Sequence, residues 1–299
     1  MKMRILTTVL LLLFTSQACF SQEKRLAARL MPLIEAHKGK IAIALKHLDN
    51  GETFFHEEDE EMPTASLIKF MIMLEVYLQA SEGKVKLADT LTLREKDMVP
   101  GSGILKYHFS DGATFSLRDA TRLMMVYSDN TATNMVLDKI GLDATNKRLD
   151  GWGFPKTKIN AKVFLGSTTS LDKARTKKFG LGSTSARETM LLLEKVYQGK
   201  VVSPEVCKEM LGHMKKCEDK LKLKRFLPEN LLVAHKSGTV SDARTDAGIL
   251  YLKSGPVAIC VLTAENAEKN YKEDNPANVV IGRVAQQVVE HYAEAAKKK

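Results

Sequence analysis

Residues 231–263 read LLVAHKSGTVSDARTDAGILYLKSGPVAICVLT. Three apolar runs stand out in this stretch, Leu231 to Thr239, Thr245 to Leu252 and Val257 to Thr263, and each has the length and composition of a strand. Working outward, Pro276 to Lys297 forms a long closing helix. At the other end, Leu26, Leu30, Leu33 and Ile34 give Glu23 to His37 a helical spacing. Ile41 to Leu48 then runs apolar up to Asn50-Gly51, and Glu52 to His56 returns, which is a hairpin signal. The middle has a different period. Ser66 to Leu78, Ser116 to Tyr127, Thr131 to Ile140, Ala144 to Trp152, Thr184 to Tyr197 and Pro204 to Lys216 all read as helices. The expected fold is α/β of the α+β kind: a five-stranded antiparallel sheet flanked by terminal helices. An all-helical lobe, about 66–218, is inserted between the sheet-forming ends, with a cleft between the two parts.

Composition narrows the function. With 44% hydrophobic and 27% charged residues, 18 Gly and 8 Pro in 299, collagen-like, disordered and low-complexity classes are excluded. Ile5 to Phe14 is apolar but falls well short of the ~20 residues that span a bilayer. Lys2 and Arg4 precede it and Cys19-Phe20-Ser21 follows, so residues 1–21 read as a secretory signal peptide cut after Ser21. Residues 22–299 would then be an exported domain, periplasmic or secreted, with no transmembrane anchor after cleavage. A lipid anchor on Cys19 is disfavoured by Ser16. The net charge of +9 comes from scattered lysines interleaved with acids, which with export argues against nucleic acid as a partner. Cys207, Cys217 and Cys260 contain no CxxC pair, and the seven histidines show neither HxH nor HExxH, so no disulfide framework, metal or cofactor is expected. A monomer is the default expectation.

Three short motifs carry chemistry. Ser66-Leu67-Ile68-Lys69 opens the apolar helix SLIKFMIMLEVYL. Residues three apart share a helix face, so the lysine amine can reach the serine hydroxyl, and a buried lysine of lowered pKa can act as its base. SxxK also starts at Ser21, Ser81 and Ser170, and alone it is an ordinary helix start. Ser128-Asp129-Asn130 lies between two helices, where it can cap the second or can offer a hydroxyl that protonates a leaving nitrogen beside an amide that grips a carbonyl. Lys236-Ser237-Gly238-Thr239 closes a strand; the glycine permits close approach, and the lysine and hydroxyl can bind a carboxylate while Lys236 lowers the pKa of Lys69.

In this order, SxxK, SDN and K-[ST]-G resemble the penicillin-recognising serine enzymes: class A β-lactamases, penicillin-binding proteins and D-alanyl-D-alanine peptidases. Leu117-Arg118-Asp119 through Asn134, and Ser183 to Gly199, extend the likeness over roughly the whole mature chain. The resemblance implies a β-lactamase/transpeptidase-like fold and a serine hydrolase acting on cyclic amides, with a β-lactam or a cell-wall stem peptide as partner. It implies Ser66 as acylated nucleophile, Lys69 as base or proton relay, Ser128 as proton donor to the leaving nitrogen and Lys236 as catalytic cation. Asn130, Ser237 and Gly238 would bind substrate, joined by Arg244 at the carboxylate, and the N–H groups of Ser66 and Thr239 would form the oxyanion hole.

The chain departs from class A in one respect. Between Gly153 and Arg187 it has no glutamate to activate the deacylating water, and Val163 falls near that position. The loop carries Lys156, Lys158, Lys162, Lys173, Arg175, Lys177 and Lys178 against Asp172 alone. Three readings stay open: Asp172 supplies the base, Lys69 serves both steps, or deacylation is slow and the protein traps β-lactams. The function expected is therefore a class A-type β-lactamase. The alternatives are a D-alanyl-D-alanine peptidase or penicillin-binding protein, and a non-catalytic sensor of wall fragments or β-lactams. Pro100-Gly101-Ser102-Gly103 reads as a turn beside the cleft without an assigned role.

Overall fold

The computed structural model describes residues 25–297; the leader read at 1–21 and Cys19 lie outside the described residues. Helix α1 (25–36) leads into the hairpin β1 (Lys40–His47) and β2 (Thr53–His56), whose register pairs Lys46 with Thr53 across a turn where Gly51 takes φ +77°. The helical run follows as α2 (Ile68–Ser81), α3 (Leu117–Val126), α4 (Asn130–Ile140), α5 (Leu142–Gly151), α6 (Lys173–Phe179), α7 (Ala186–Tyr197) and α8 (Pro204–Lys215). Strands β3 (Val233–Val240), β4 (Ala243–Leu252) and β5 (Gly255–Ala264) and helix α9 (Pro276–Lys297) close the chain.

The five strands form one antiparallel sheet in the order β2-β1-β5-β4-β3, so the KSG strand is an edge. Side chains alternate between the two faces of a strand, and here the faces differ in size. Ala42, Ala44, Ala247, Ala258 and Cys260 face the helical lobe, while Ile41, Ile43, Leu45, Val257, Ile259 and Val261 face the terminal helices α1 and α9. Small residues on the lobe side let α7 pack closely against β1, β4 and β5, and the centre of the lobe is α2. That helix is buried from Ile68 to Gln79, apolar nearly all round, as expected for a helix through the middle of a core. Its one buried acid, Glu75, is paired with Arg148 at 3.1 Å.

The lobe was expected to be all helical, and it also contains two small sheets. Thr90–Thr92 pairs with Thr114–Ser116, and Gly182–Thr184 lies between Met62–Pro63 and Lys158–Ile159. The second of these ties the loop that lacks a glutamate to the segment just before Ser66.

Candidate active site

Ser66 sits in a single 3-10 turn, Ala65–Leu67, that runs directly into α2. Ala65 takes φ +46°, a strained conformation for a residue with a side chain, and the Thr64 carbonyl holds the turn by accepting from Leu67 N at 3.0 Å and Thr245 Oγ1 at 2.8 Å. Lys69, in the first turn of α2, is fully buried. Its three N–H directions are all taken: Ser128 O at 2.7 Å, Asn130 Oδ1 at 2.8 Å and Ser128 Oγ at 3.2 Å. Ser66 Oγ is not among these acceptors, so the lysine is wired across the cleft. Burial, with repulsion from Lys236 second, holds its pKa well below the ordinary lysine value, and Asp129 opposes that only in part.

Ser128 occupies the sharp turn between α3 and α4 with φ +53°. Asp129 makes this turn possible. Its side chain caps α4 by accepting from Ala132 N at 2.8 Å, and its second oxygen accepts from Ile104 N at 2.7 Å and Leu105 N at 2.8 Å. Gly103 passes so near that a Cβ there would stand 2.4 Å from the Asp129 carboxylate. The 100–105 turn is thus a wall of the cleft, joined also by Asn130 N to Ser102 O at 3.0 Å and Asn130 Nδ2 to Pro100 O at 2.9 Å.

Lys236, fully buried on β3, donates to Ser128 Oγ at 3.2 Å and to Ser237 O at 2.8 Å. Burial holds its pKa below the ordinary value. Ser128 Oγ therefore receives hydrogen bonds from both Lys69 and Lys236. A hydroxyl has two acceptor lone pairs and one proton, so two cations filling the lone pairs turn its O–H outward. Gly238 follows, and only a glycine fits: a Cβ would lie 2.5 Å from Thr64 O and 2.8 Å from Ser66 N. The strand is thereby pressed against the Ser66 turn, and Thr239, one residue on, lines the same cleft.

One partner has no signature in the motifs. Ser237 gives its proton to Asp219 Oδ2 at 2.6 Å, which also accepts from Lys222 at 2.6 Å. Burial alone would raise the Asp219 pKa; Lys222 and Ser237 outweigh it and keep the carboxyl ionised well below its usual range. The Ser237 hydroxyl has one proton, committed here to Asp219, and can donate into the cleft only by turning away from it.

The cleft encloses about 830 Å³, and Ser66, Ser128, Asn130, Lys236, Ser237, Gly238 and Thr239 all line it. Three expected members do not: Lys69 lies fully buried behind Ser128 and Asn130, and Asp172 and Arg244 are turned elsewhere. Asp172 is exposed and caps α6, accepting from Arg175 N at 3.0 Å. Arg244 pairs with Thr239 in the sheet, but its guanidinium folds back onto the carbonyls of Val240, Ala243 and Asn270 and packs behind Tyr271, whose ring centroid is 5.4 Å away. Backbone oxygens take donors from both of its terminal nitrogens, while Nε is buried without a partner. Val163 does line the cleft, clamped by Asn134, which accepts from Val163 N at 2.9 Å and donates to Val163 O at 3.0 Å. Phe164 beside it has φ +59° and lies 63% exposed. Glu188 turns its carboxylate to Lys156 N and Thr157 Oγ1 and anchors the loop. Among the described residues no group of three or more His, Cys, Asp or Glu is placed to hold a metal ion.

Comparison with known proteins gives the same placement. The sequence is 25% identical to "Beta-lactamase VEB-1" of Pseudomonas aeruginosa over 89% of the chain and 91% of that protein. An alignment to "Beta-lactamase BRO-1" of Moraxella catarrhalis, also 25% identical, spans 68% of the chain and 63% of that protein. The fold superposes on the crystal structure of a β-lactamase from Sphaerobacter thermophilus with TM-score 0.77 at 26% identity, covering 90% of the chain and 97% of that structure. It superposes equally on the structure of PBP-A, with TM-score 0.77, 26% identity and coverage of 90% and 96%. The model of the beta-lactamase enzyme family matches residues 24–292. With a match from just before the first helix to the last quarter of the final one, the chain belongs to the beta-lactamase enzyme family.

Proposed function

We propose that the protein is an exported serine hydrolase that opens β-lactam rings through an acyl-Ser66 intermediate. The observation that supports it most directly is the sharing of Ser128 Oγ by Lys69 and Lys236 in the cleft that Ser66 lines. Once deprotonated, Lys69 gives up one of its three hydrogen bonds, its freed lone pair takes the Ser66 proton, and Ser66 Oγ attacks the lactam carbonyl carbon. The N–H groups of Ser66 and Thr239 receive the oxyanion, and such a donor is typically worth about 2.7–4 kcal/mol of barrier. As the C–N bond breaks, Ser128 gives its outward proton to the nitrogen and is reprotonated by Lys69. Lys236 holds the substrate carboxylate, and Asn130 offers its remaining N–H to the amide side chain. Lys69 also serves the deacylating water, since Asp172 stands outside the cleft.

Export rests on the leader read at residues 1–21. Among the described residues no helix is long and apolar enough to cross a membrane. N-terminal sequencing of protein recovered from the culture medium or periplasm checks the cut after Ser21.

Time-resolved intact mass after adding penicillin tests the chemistry. A transient adduct that Ser66→Ala abolishes is the expected result. No adduct and no turnover of a chromogenic cephalosporin would overturn the proposal. The apolar Val163 favours a second reading, a penicillin-binding protein or D-alanyl-D-alanine peptidase, for which the adduct lasts and a stem peptide releases D-alanine.

A further inference from the structure

We infer that Cys217 is a second reactive centre of the cleft, a thiol set against the His235–Asp246 pair that exchanges with small-molecule disulfides and closes the cleft when modified. Cys217 ends the turn after α8, where its N–H bonds Met214 O at 3.2 Å, and it lines the cleft together with Lys236 and Ser237. His235, fully buried on β3, places Nδ1 2.9 and 3.1 Å from the two carboxylate oxygens of Asp246 on β4. Asp246 is itself fixed by Leu223 N at 3.1 Å. The ring has room because Gly248 stands opposite: a Cβ there would approach His235 Cβ to 2.6 Å. His235 Nε2 is buried without an aligned hydrogen-bond partner, and Cys217 is the titratable group besides Asp246 that acts on the ring.

A thiol, an imidazole and a carboxylate in series form the arrangement that activates a cysteine. None of the three has a part in the acylation at Ser66. Lys236 and Asp246 also face the thiol, and Asp219 and Lys222 act on Lys236. Burial alone would raise the Cys217 pKa, but His235 and then Lys236 outweigh it and bring it down to about 7. Burial would likewise lower His235, yet Asp246 and Cys217 push it up to about 10. All three described cysteines are buried, but Cys217 lines the cleft whereas Cys207 and Cys260 lie in the core, where burial pushes the Cys260 thiol up.

The step balances without a further reactant. His235 already carries the proton that Asp246 holds on it, Cys217 loses its own proton to solvent, and the thiolate attacks one sulfur of the small disulfide. The S–S bond breaks, a mixed disulfide forms on Cys217, and the departing thiolate takes a proton from His235. Cys217 is oxidised and the leaving half reduced. The attached group then fills the space beside Lys236, Ser237 and Ser128. That the modification blocks acylation rests on the proposed role of Ser66; formation of the adduct does not.

The test treats the full chain with bis(2-hydroxyethyl) disulfide and follows intact mass and peptide maps. Expected are an adduct on Cys217 that dithiothreitol reverses, none on Cys207 or Cys260 in the folded protein, and loss of the penicillin adduct until reduction. Cys217→Ser escapes this inactivation. The exchange rate should rise with an apparent pKa near 7, against about 8.5 for an ordinary thiol, and His235→Gln should move it upward. Should that variant fail to fold, the pH profile of the natural protein decides. A profile of an ordinary thiol, modification confined to unfolded protein, or equal modification of Cys207 and Cys260 would overturn the inference. Full acylation of the Cys217-modified protein would overturn the closure. A protein that exchanges thiols yet never reacts with penicillin would refute the role of Ser66 alone.

Discussion

The two sides of the cleft are built on different principles. The floor, made of the Ser66 turn, Ser128 and the KSG strand, is an arrangement of buried cations, shared hydroxyls and two strained φ angles held from three separate parts of the chain. The loop wall at 163–164 presents a valine and a phenylalanine, Lys162 at its edge is paired with Asp138, and Lys158 is paired with Asp150. On the proposed mechanism the floor makes the acyl-enzyme, whereas Val163 and Phe164 offer no group able to take a proton from water. On that reading acylation and deacylation are separable.

The largest expected effect comes from Gly238→Ala. The new Cβ must force β3 away from Thr64 O and Ser66 N, so acylation should fall by roughly 10²–10³, the cost of one misplaced oxyanion donor. An unchanged acylation rate by stopped-flow absorbance would break the claim that the floor depends on this contact.

Val163→Glu places a carboxylate on the wall where Asn134 already fixes the backbone. The lifetime of the penicillin adduct should shorten by about 10² or more, within the range of a general base, with little change in the rate at which the adduct forms. Time-resolved mass spectrometry reads both rates, and a change confined to formation would contradict the division.

The pH profile sharpens it further. Lys69 is held well below the usual lysine range by burial and Lys236, so acylation should rise with pH as Lys69 loses its proton, before an ordinary lysine would. It should fall again when Lys236, lowered by burial, loses its own. A profile that begins to rise only near the ordinary lysine pKa would mean that Lys69 is not the base.

Asp172→Ala should matter least. The residue caps α6 from outside the cleft, so thermal stability drops by about 0.5–2 kcal/mol while adduct lifetime stays the same. Prolonged adducts in this variant would return Asp172 to consideration as the base.

Much of this was legible in the sequence because periodicity reports burial. The three C-terminal strands, the Asn50-Gly51 hairpin and helix α9 lie where the apolar spacing puts them. Helix α6 was not, since Lys173 to Phe179 is mostly charged and forms on a capped N-terminus with no apolar stripe. The SDN and KSG motifs locate Ser128 and Lys236, but nothing local indicates that Asp219 takes the proton of Ser237 or that Cys217 meets His235. Those contacts arise where the turn after α8 crosses the edge strand. Arg244 misleads for a related reason: strand register brings it level with Thr239, while the reach of its side chain lets it satisfy carbonyls behind the cleft.

The left-handed backbone at Ser128 leaves the protein exposed to decay under drift. A side chain in that region costs about 1–3 kcal/mol, and glycine would be relieved of most of it. The mutation that best relaxes this corner also deletes the shared hydroxyl, so a population selected for robustness alone would gather well-folded, inert descendants.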